Sequence, residues 1–374
     1  MYFLFYAISI LAVLGLGIYF IFRFKKLPFI ACFHKKNKKL PFILSTLITI
    51  LFLLNATNIF SISFAVAFLL FQTYLLTDVI AFILKKMVKK PTVVANWEKI
   101  YRGGSLAILL AIIYVFVGYW NMNHIRFTDY HIESDKLRNE ESITVAMIAD
   151  LHLGTSLNAS ELTDYCDDIS NKKPDVVLLV GDIFDHRTPV EEIPKACALL
   201  GNIKSSYGTY YVYGNHDVSS YGQKHPFSKQ ELVQSMKEGN IRVLEDEAIE
   251  LAERFYLIGR KALTFSGDNQ REIIETLIAD LDQDKYMILL DHQPKDLEIA
   301  AKHGIDLLVS GHTHGGQLWP VGQFSSLFGI DELVYGEKVI KDFHAIVTSG
   351  ISGWGYPIKT GSKSEIVMIE IIGR

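Results

Sequence analysis

Tyr210-Tyr-Val-Tyr213 runs directly into Gly214-Asn-His-Asp217. A short apolar, aromatic-rich run reads as a buried strand. It hands over to a glycine turn carrying an amide, an imidazole and a carboxylate. The same grammar recurs four times. Ile143-Thr-Val-Ala-Met-Ile148 leads into Asp150-Leu-His152, and Val176-Val-Leu-Leu-Val180 into Gly181-Asp182-Ile-Phe-Asp185. Tyr286-Met-Ile-Leu-Leu290 leads into Asp291-His292, and Leu307-Leu-Val-Ser310 into Gly311-His-Thr-His314. Helix-like stretches separate the runs, which is the pattern of an α/β domain. Ligands of α/β sheets collect at the carboxyl ends of strands, so the five groups are expected to converge on one site. Gly181, Gly214, Gly311, Gly315 and Gly316 let the backbone turn sharply beside them. One such motif is common by chance; five in order are not.

Outward from these motifs the chain changes character. Residues 1–120 hold 13 Lys/Arg and 2 acidic residues (Asp78, Glu98), a net +11, whereas residues 121–374 hold 24 Lys/Arg and 39 Asp/Glu, a net −15. The overall charge of −4 therefore hides a basic, apolar front and an acidic back. Four apolar stretches in the front, Phe3–Phe22, Pro41–Phe60, Ser61–Leu84 and Gly104–Trp120, are expected to span a bilayer. Asn55, Ala56, Thr57 and Asn58 offer the turn between the middle two. Arg23, Lys25, Lys26, Lys35, Lys36, Lys38 and Lys39 form one basic loop; Lys85, Lys86, Lys89, Lys90, Lys99 and Arg102 form another. Both belong in the cytoplasm by the positive-inside rule. That puts the amino terminus and everything after Trp120 outside it. Asp78 is expected to pair with the nearby Lys85 or Lys86. Residues 121–142 read as a tether with a short strand around Phe127–Ile132, and residues 143–374 as the catalytic domain. The acidic charge argues against nucleic-acid binding, which uses positive patches. Cys32, Cys166 and Cys197 lack metal-ligand spacing; the latter two read as small buried residues on helices.

The set Asp150-x-His152, Gly181-Asp182-x-x-Asp185, Gly214-Asn-His-Asp217, His292 and Gly311-His-Thr-His314 resembles the calcineurin-like metallophosphoesterase superfamily. The extension Gly315-Gly-Gln-Leu-Trp-Pro320 resembles its membrane-associated bacterial branch. The resemblance covers Ile143 to the carboxyl terminus and leaves the spans out. It implies a two-sheet sandwich flanked by helices, preceded here by an all-α four-span region. It also implies two divalent metal ions, one held by Asp150, His152, Asp182 and His314, the other by Asp182, Asn215, His292 and His312, with Asp182 bridging. Imidazole and carboxylate ligands without thiolate favour Mn, Fe or Zn. Two such ions clamp a phosphoryl group and acidify a water for in-line attack on phosphorus. His216, beside a ligand but not one itself, is the expected proton-handling residue. Asp217 is placed to orient it, with turn capping as the alternative. Asp185 is expected behind the ligands and Arg187 on the surface or at the substrate phosphate. Lys359 stands where the branch often has an arginine.

A hydrolase on the outer face of a membrane meets lipid-linked phosphates, and Phe324, Leu327, Phe328 and Leu333, just after His314, offer an apolar seat. The leading expectation is therefore a phosphoester on a membrane lipid or lipid-linked precursor. A membrane-anchored phosphodiesterase or phosphatase for soluble nucleotides or phosphoproteins is the first alternative. A non-catalytic metal-binding scaffold is the second.

Overall fold

The computed structural model describes residues 2–54, 56, 61–88, 90–218, 225–263 and 270–374, with side chains of residues 2–10 and 12 left out. Two compact units emerge, Met1–Trp120 and Asn121–Arg374.

The second unit is built on twelve strands: β1 Arg126–Ser134, β2 Ser142–Ile148, β3 Val176–Val180, β4 Thr209–Val212, β5 Ile241–Val243, β6 Glu247–Leu251, β7 Phe255–Gly259, β8 Tyr286–Leu290, β9 Leu307–Ser310, β10 Gly336–Ile340, β11 Phe343–Val347 and β12 Glu365–Gly373. They form two six-stranded sheets, ordered β1-β12-β2-β3-β4-β5 and β10-β11-β9-β8-β7-β6. Within the sheets β2, β3, β4 and β5 run parallel, as do β7, β8, β9 and β11. Strands this apolar must be covered on both faces. Alternation does the sorting: Val145 and Met147 of β2 face the core between the sheets, where Ile288, Leu290, Leu307 and Val309 meet them. Ala146 and Ile148 point the other way, onto the helices Ala159–Asn171, Ile193–Gly201 and Lys229–Glu238. The helix Leu297–Lys302 covers the second sheet through Leu297 and Ala300. The result is the expected α/β two-sheet sandwich.

Residues 121–142 are more than a tether. Arg126–Ser134 is a full-length edge strand, paired in parallel with β12 from Arg126↔Glu365 to Ser134↔Gly373. Only Ile132 of that strand is buried, so its apolar pattern showed a shorter strand, around Phe127–Ile132, than the one that forms. Cys166 and Cys197 are free and buried.

Among the described residues of the first unit, two helices are long and apolar enough to cross a membrane, Ile62–Met87 and Ser105–Asn123. The helix Tyr2–Phe24 has 23 residues, with Val13–Phe24 its apolar part whose side chains are described, and Leu40–Leu54 is a shorter apolar helix. The latter, with 15 residues, rises about 22 Å, short of a hydrocarbon core of roughly 30 Å. Asn55, Thr57 and Asn58 of the expected turn, and Lys89 of the second basic loop, lie outside the described residues. Phe20, Phe24, Ala67, Tyr74 and Ala107 pack inward, while Ile18, Phe22, Leu51, Ile112 and Phe116 are exposed. Large apolar side chains on both sides of a helix suit lipid, not water. The unit is membrane-associated. Asp78 pairs with Arg23 Nη1 at 2.8 Å and accepts from the Tyr19 hydroxyl at 2.8 Å, not with Lys85, which bonds Glu98. Lys85 is two turns along Asp78's own helix, whereas the amino-terminal helix brings Arg23 alongside.

Candidate metal centre

Each expected ligand follows a strand. Asp150 and His152 follow β2, Asp182 follows β3 and Asn215 follows β4, all in the first sheet. His292 follows β8, and His312 and His314 follow β9, in the second. Backbone bonds hold the turns together: Asp150 N–H donates to Gly181 O at 3.0 Å and His152 N–H to Asp182 O at 3.0 Å. Five of these residues sit in the left-handed region, with φ of 55° at Asp150, 42° at His152, 53° at Asp182, 72° at His312 and 51° at His314. Side chains other than glycine rarely adopt that conformation, and where they do the backbone strain is concentrated at functional sites. Two glycines are required by crowding. A Cβ at Gly311 would lie 2.5 Å from Asp150 Oδ2, and one at Gly214 would collide with the Asp182 carboxylate.

The side chains gather into two groups, Asp150–His152–His314 and Asp182–His292–His312, each with ligand atoms within 4.8 Å of one another. Each group draws from both sheets, so the site exists only because the sheets pack face to face. Asp182 Oδ2 stands between the groups, 3.8 Å from His152 Nε2 and 3.1 Å from His292 Nε2. Asp150 Oδ1 is 3.7 Å from His314 Nε2 and 4.0 Å from His292 Nε2. Asn215 Oδ1 accepts from Gln293 Nε2 at 3.2 Å, which ties it to the residue after His292.

Hydrogen bonds at the far side of the rings decide which nitrogens face inward. His152 Nδ1 lies 3.1 Å from Asp185 Oδ2, and His292 Nδ1 donates to Val180 O at 2.8 Å. His152 Nε2 and His314 Nδ1 are buried without a hydrogen-bond partner, and His292 Nε2 meets only the Asp182 carboxylate, 3.1 Å away. Leaving buried polar atoms unmet costs about 1–3 kcal/mol each. Several such atoms beside two carboxylates suit a set of ligands for divalent cations, and the backing of His152 by Asp185 is the usual outer support of a metal-binding imidazole. The residues fit two metal ions.

The electrostatics point the same way. Burial drives Asp150 up to about 6, with Asp182 adding to the rise and the imidazoles of His292 and His152 opposing it. Burial also works against ionising Asp182, but His292 and His216 hold it well below the usual carboxylate range. Burial lowers His292, yet Asp182 and Asp150 overcome this and raise it to about 10. A proton on His292 thus takes the place of positive charge. His216, buried between His152 and Trp354 with ring centroids at 5.2 and 4.6 Å, is pushed down to about 3 by burial. Its ring is neutral.

The backbone bonds of Asp217 are those of the turn-capping alternative. Its carboxylate accepts from the backbone N–H of Asp182 at 2.6 Å, Gly214 at 2.7 Å and Phe184 at 2.9 Å. It bonds the turns after β3 and β4 to each other, as the turn-capping alternative expects. His216 is held through its own N–H, which donates to Asp182 Oδ1 at 2.7 Å. Arg187 Nη1 donates to Gly355 O at 2.6 Å. Lys359 is fully buried and donates to the carbonyls of Ser349, Gly350 and Ser352 at 2.7, 3.2 and 2.7 Å. Burial lowers it to about 7, yet three carbonyls match the three donors of an ammonium, so geometry satisfies the charged form. It holds the turn whose Ser352 N–H donates to Asp150 O; it does not reach into the site.

Three supports escaped the sequence reading. Gln317 donates its amide to the carbonyls of Trp354, Tyr356 and Ile358 and accepts from Trp354 N–H. Gln293 braces Asn215. Arg260 and Arg271 hold buried Asp291, next to His292, at 3.0 and 2.9 Å. Only the position of Gln317 in the Gly315-Gly-Gln run offered a signal.

A family model for the calcineurin-like phosphoesterases matches residues 143–316. That stretch is a calcineurin-like phosphoesterase domain. Its phosphoesterase domain is a dinuclear, metal-dependent phosphoester hydrolase that uses two divalent ions. A metallophosphoesterase of Campylobacter jejuni is 27% identical over the whole of both chains. One of Helicobacter pylori is 30% identical over 64% of this chain and 61% of its own. A Bos taurus transmembrane protein with a metallophosphoesterase domain is 28% identical over 61% of this chain and 52% of its own. Among solved structures, a dimetal phosphatase from Danio rerio matches 55% of this chain and 86% of its own at 13% identity and a TM-score of 0.37.

Proposed function

We propose that this phosphoesterase hydrolyses a phosphoester on a membrane lipid or lipid-linked precursor, with its catalytic domain outside the cytoplasm and its first unit in the bilayer. One observation carries the catalytic part: the Asp182 carboxylate stands between two groups of buried imidazoles, 3.8 Å from His152 Nε2 and 3.1 Å from His292 Nε2. In this reading Asp150, His152, Asp182 and His314 hold one cation, and Asp182, Asn215, His292 and His312 the other. Two bound divalent ions, Mn, Fe or Zn by ligand type, supply Lewis-acid charge for phosphoryl oxygens and acidity for water. The chain's own residues do the rest. Neutral His216 offers a ring N–H to the oxygen that gains charge as the ester bond breaks. Trp354 packs against that ring and keeps bulk water off it. Asp185 fixes the tautomer of His152 and the Val180 carbonyl that of His292.

The lipid part is supported by the membrane-associated first unit and by a groove of about 580 Å³ lined by Gly315, Gly322, Leu327, Leu333 and Tyr335. Gly315 directly follows His314, so the groove begins beside the ligands. Topology follows from the two basic loops. The test is a screen of lipid and nucleotide phosphates with the full-length protein in mixed micelles, Mn supplied. The reading requires faster turnover of a lipid phosphoester than of its short-chain soluble counterpart. Equal rates would remove the lipid part, and nucleotides as the preferred substrates would favour an anchored enzyme for soluble esters. Metal-loaded protein inert on every phosphoester would leave the binding scaffold.

A further inference from the structure

The helix Val321–Phe328 is built inside out. Its buried positions are Gly322 and Ser325, while Val321, Phe324, Leu327 and Phe328 are 47, 52, 74 and 72% exposed. Trp319 and Ile330 extend the ridge at either end, 48 and 62% exposed. Val321, Phe324 and Phe328 share one helical face by their spacing, and the rings of Phe324 and Phe328 stack with centroids 6.3 Å apart. From Gly315 through Ile330 the chain carries no charged residue. Among the described residues, the domain's other exposed large apolar side chains, Val190, Val233, Ile273, Ile299 and Val339, stand singly along the sequence. A water-facing helix normally buries its apolar face, and an apolar ridge of this kind marks a partner.

We propose that this ridge docks into the surface of a lipid bilayer, lying in the interface as an amphipathic helix does. The inference rests on the membrane reading above and adds a second, catalytic-domain contact to it. The occupant follows from the chain itself. The apolar helix Ser105–Asn123 gives way to β1 at Arg126 after only His124 and Ile125, so a bilayer holding that helix is present at high effective concentration. Lys295, whose Nζ donates to Ile330 O at 3.0 Å, sets a positive charge at the ridge's flank for phosphate head groups. Leu327 belongs both to the ridge and to the groove that begins at Gly315. Docking would therefore open that groove toward hydrocarbon and let an acyl chain reach the site without leaving the membrane.

The test uses full-length protein with Cys32→Ser, since Cys166 and Cys197 are buried. Leu327→Cys and Phe328→Cys, with Val190→Cys and Val233→Cys as controls, are labelled with an environment-sensitive fluorophore and reconstituted in phosphatidylcholine vesicles, with or without brominated acyl chains. Docking requires a blue shift and several-fold quenching by brominated lipid at positions 327 and 328 only. Ridge labels that behave like the controls overturn it. A blue shift untouched by brominated lipid and lost on diluting protein in the vesicles would mean a second copy covers the ridge, and that also overturns it. Hydrolysis of a soluble aryl phosphodiester, followed in parallel, reports on the phosphoesterase reading independently.

Discussion

Asp217→Asn separates two roles for one carboxylate. Oδ2 accepts from Asp182 N–H and Gly214 N–H, and Oδ1 from Phe184 N–H, all at 2.6–2.9 Å. An asparagine oxygen can keep the first two, but its NH2 then faces the Phe184 N–H. That leaves a buried donor unmet, at about 1–3 kcal/mol, and weakens two charge-assisted bonds by about 1 kcal/mol in all. Relief of the burial that raises Asp217 to about 7 returns part of this. The net loss is about 2–3 kcal/mol, which lowers the Tm of a domain this size by roughly 5–10 °C. Metal retention should fall with it, because the clamped turn carries Asp182. The assay is thermal unfolding of the full-length protein in detergent, followed by tryptophan fluorescence, with metal analysis of the same samples. A Tm within error of wild type, full metal content and a reduced kcat would refute the reasoning and return Asp217 to orienting His216.

Three further outcomes follow from the same contacts. Asp182→Ala should strip metal from both sites, whereas His216→Ala should keep both ions and lose about 10²–10⁴ in kcat on an aryl phosphodiester; metal analysis beside kinetics checks the pair, and full activity of His216→Ala would end its assigned role. Metal binding should release protons and tighten as pH rises: His292, raised to about 10, holds a proton at neutral pH that a cation must displace, so falling pH favours the proton. Titration calorimetry in two buffers of different ionisation enthalpy should give different heats; equal heats would exclude that exchange. Lys359→Met should lower stability by about 2–4 kcal/mol through unmet carbonyls yet leave inhibition by inorganic phosphate unchanged, because Nζ is turned into the backbone of the 349–352 turn. A weaker phosphate constant would restore a substrate-facing lysine.

Much was legible in the chain because periodicity and punctuation are local. Val176–Val180 is apolar at every position, as a strand covered on both faces must be, and Gly181 followed by Asp182 announces a turn that presents a carboxylate. Arg126–Ser134 was read short because an edge strand with one buried residue has no pattern to show. Asp78 was assigned to lysines near it in sequence, since a partner on another helix is invisible to a local reading.

The five ligand-bearing strands, their order along the chain and the residue types at their ends were thus legible in the sequence alone, together with the separation of an apolar basic front from an acidic α/β domain. That Asp217 collects three backbone donors, that Lys359 is buried, that five ligand positions adopt left-handed φ, and that each group of ligands draws on both sheets were decided by tertiary structure. The physical reason is that strand patterns record burial of one segment at a time. Hydrogen-bond partners and ligand distances depend on where two sheets meet, and residues 150 and 314 become neighbours only there.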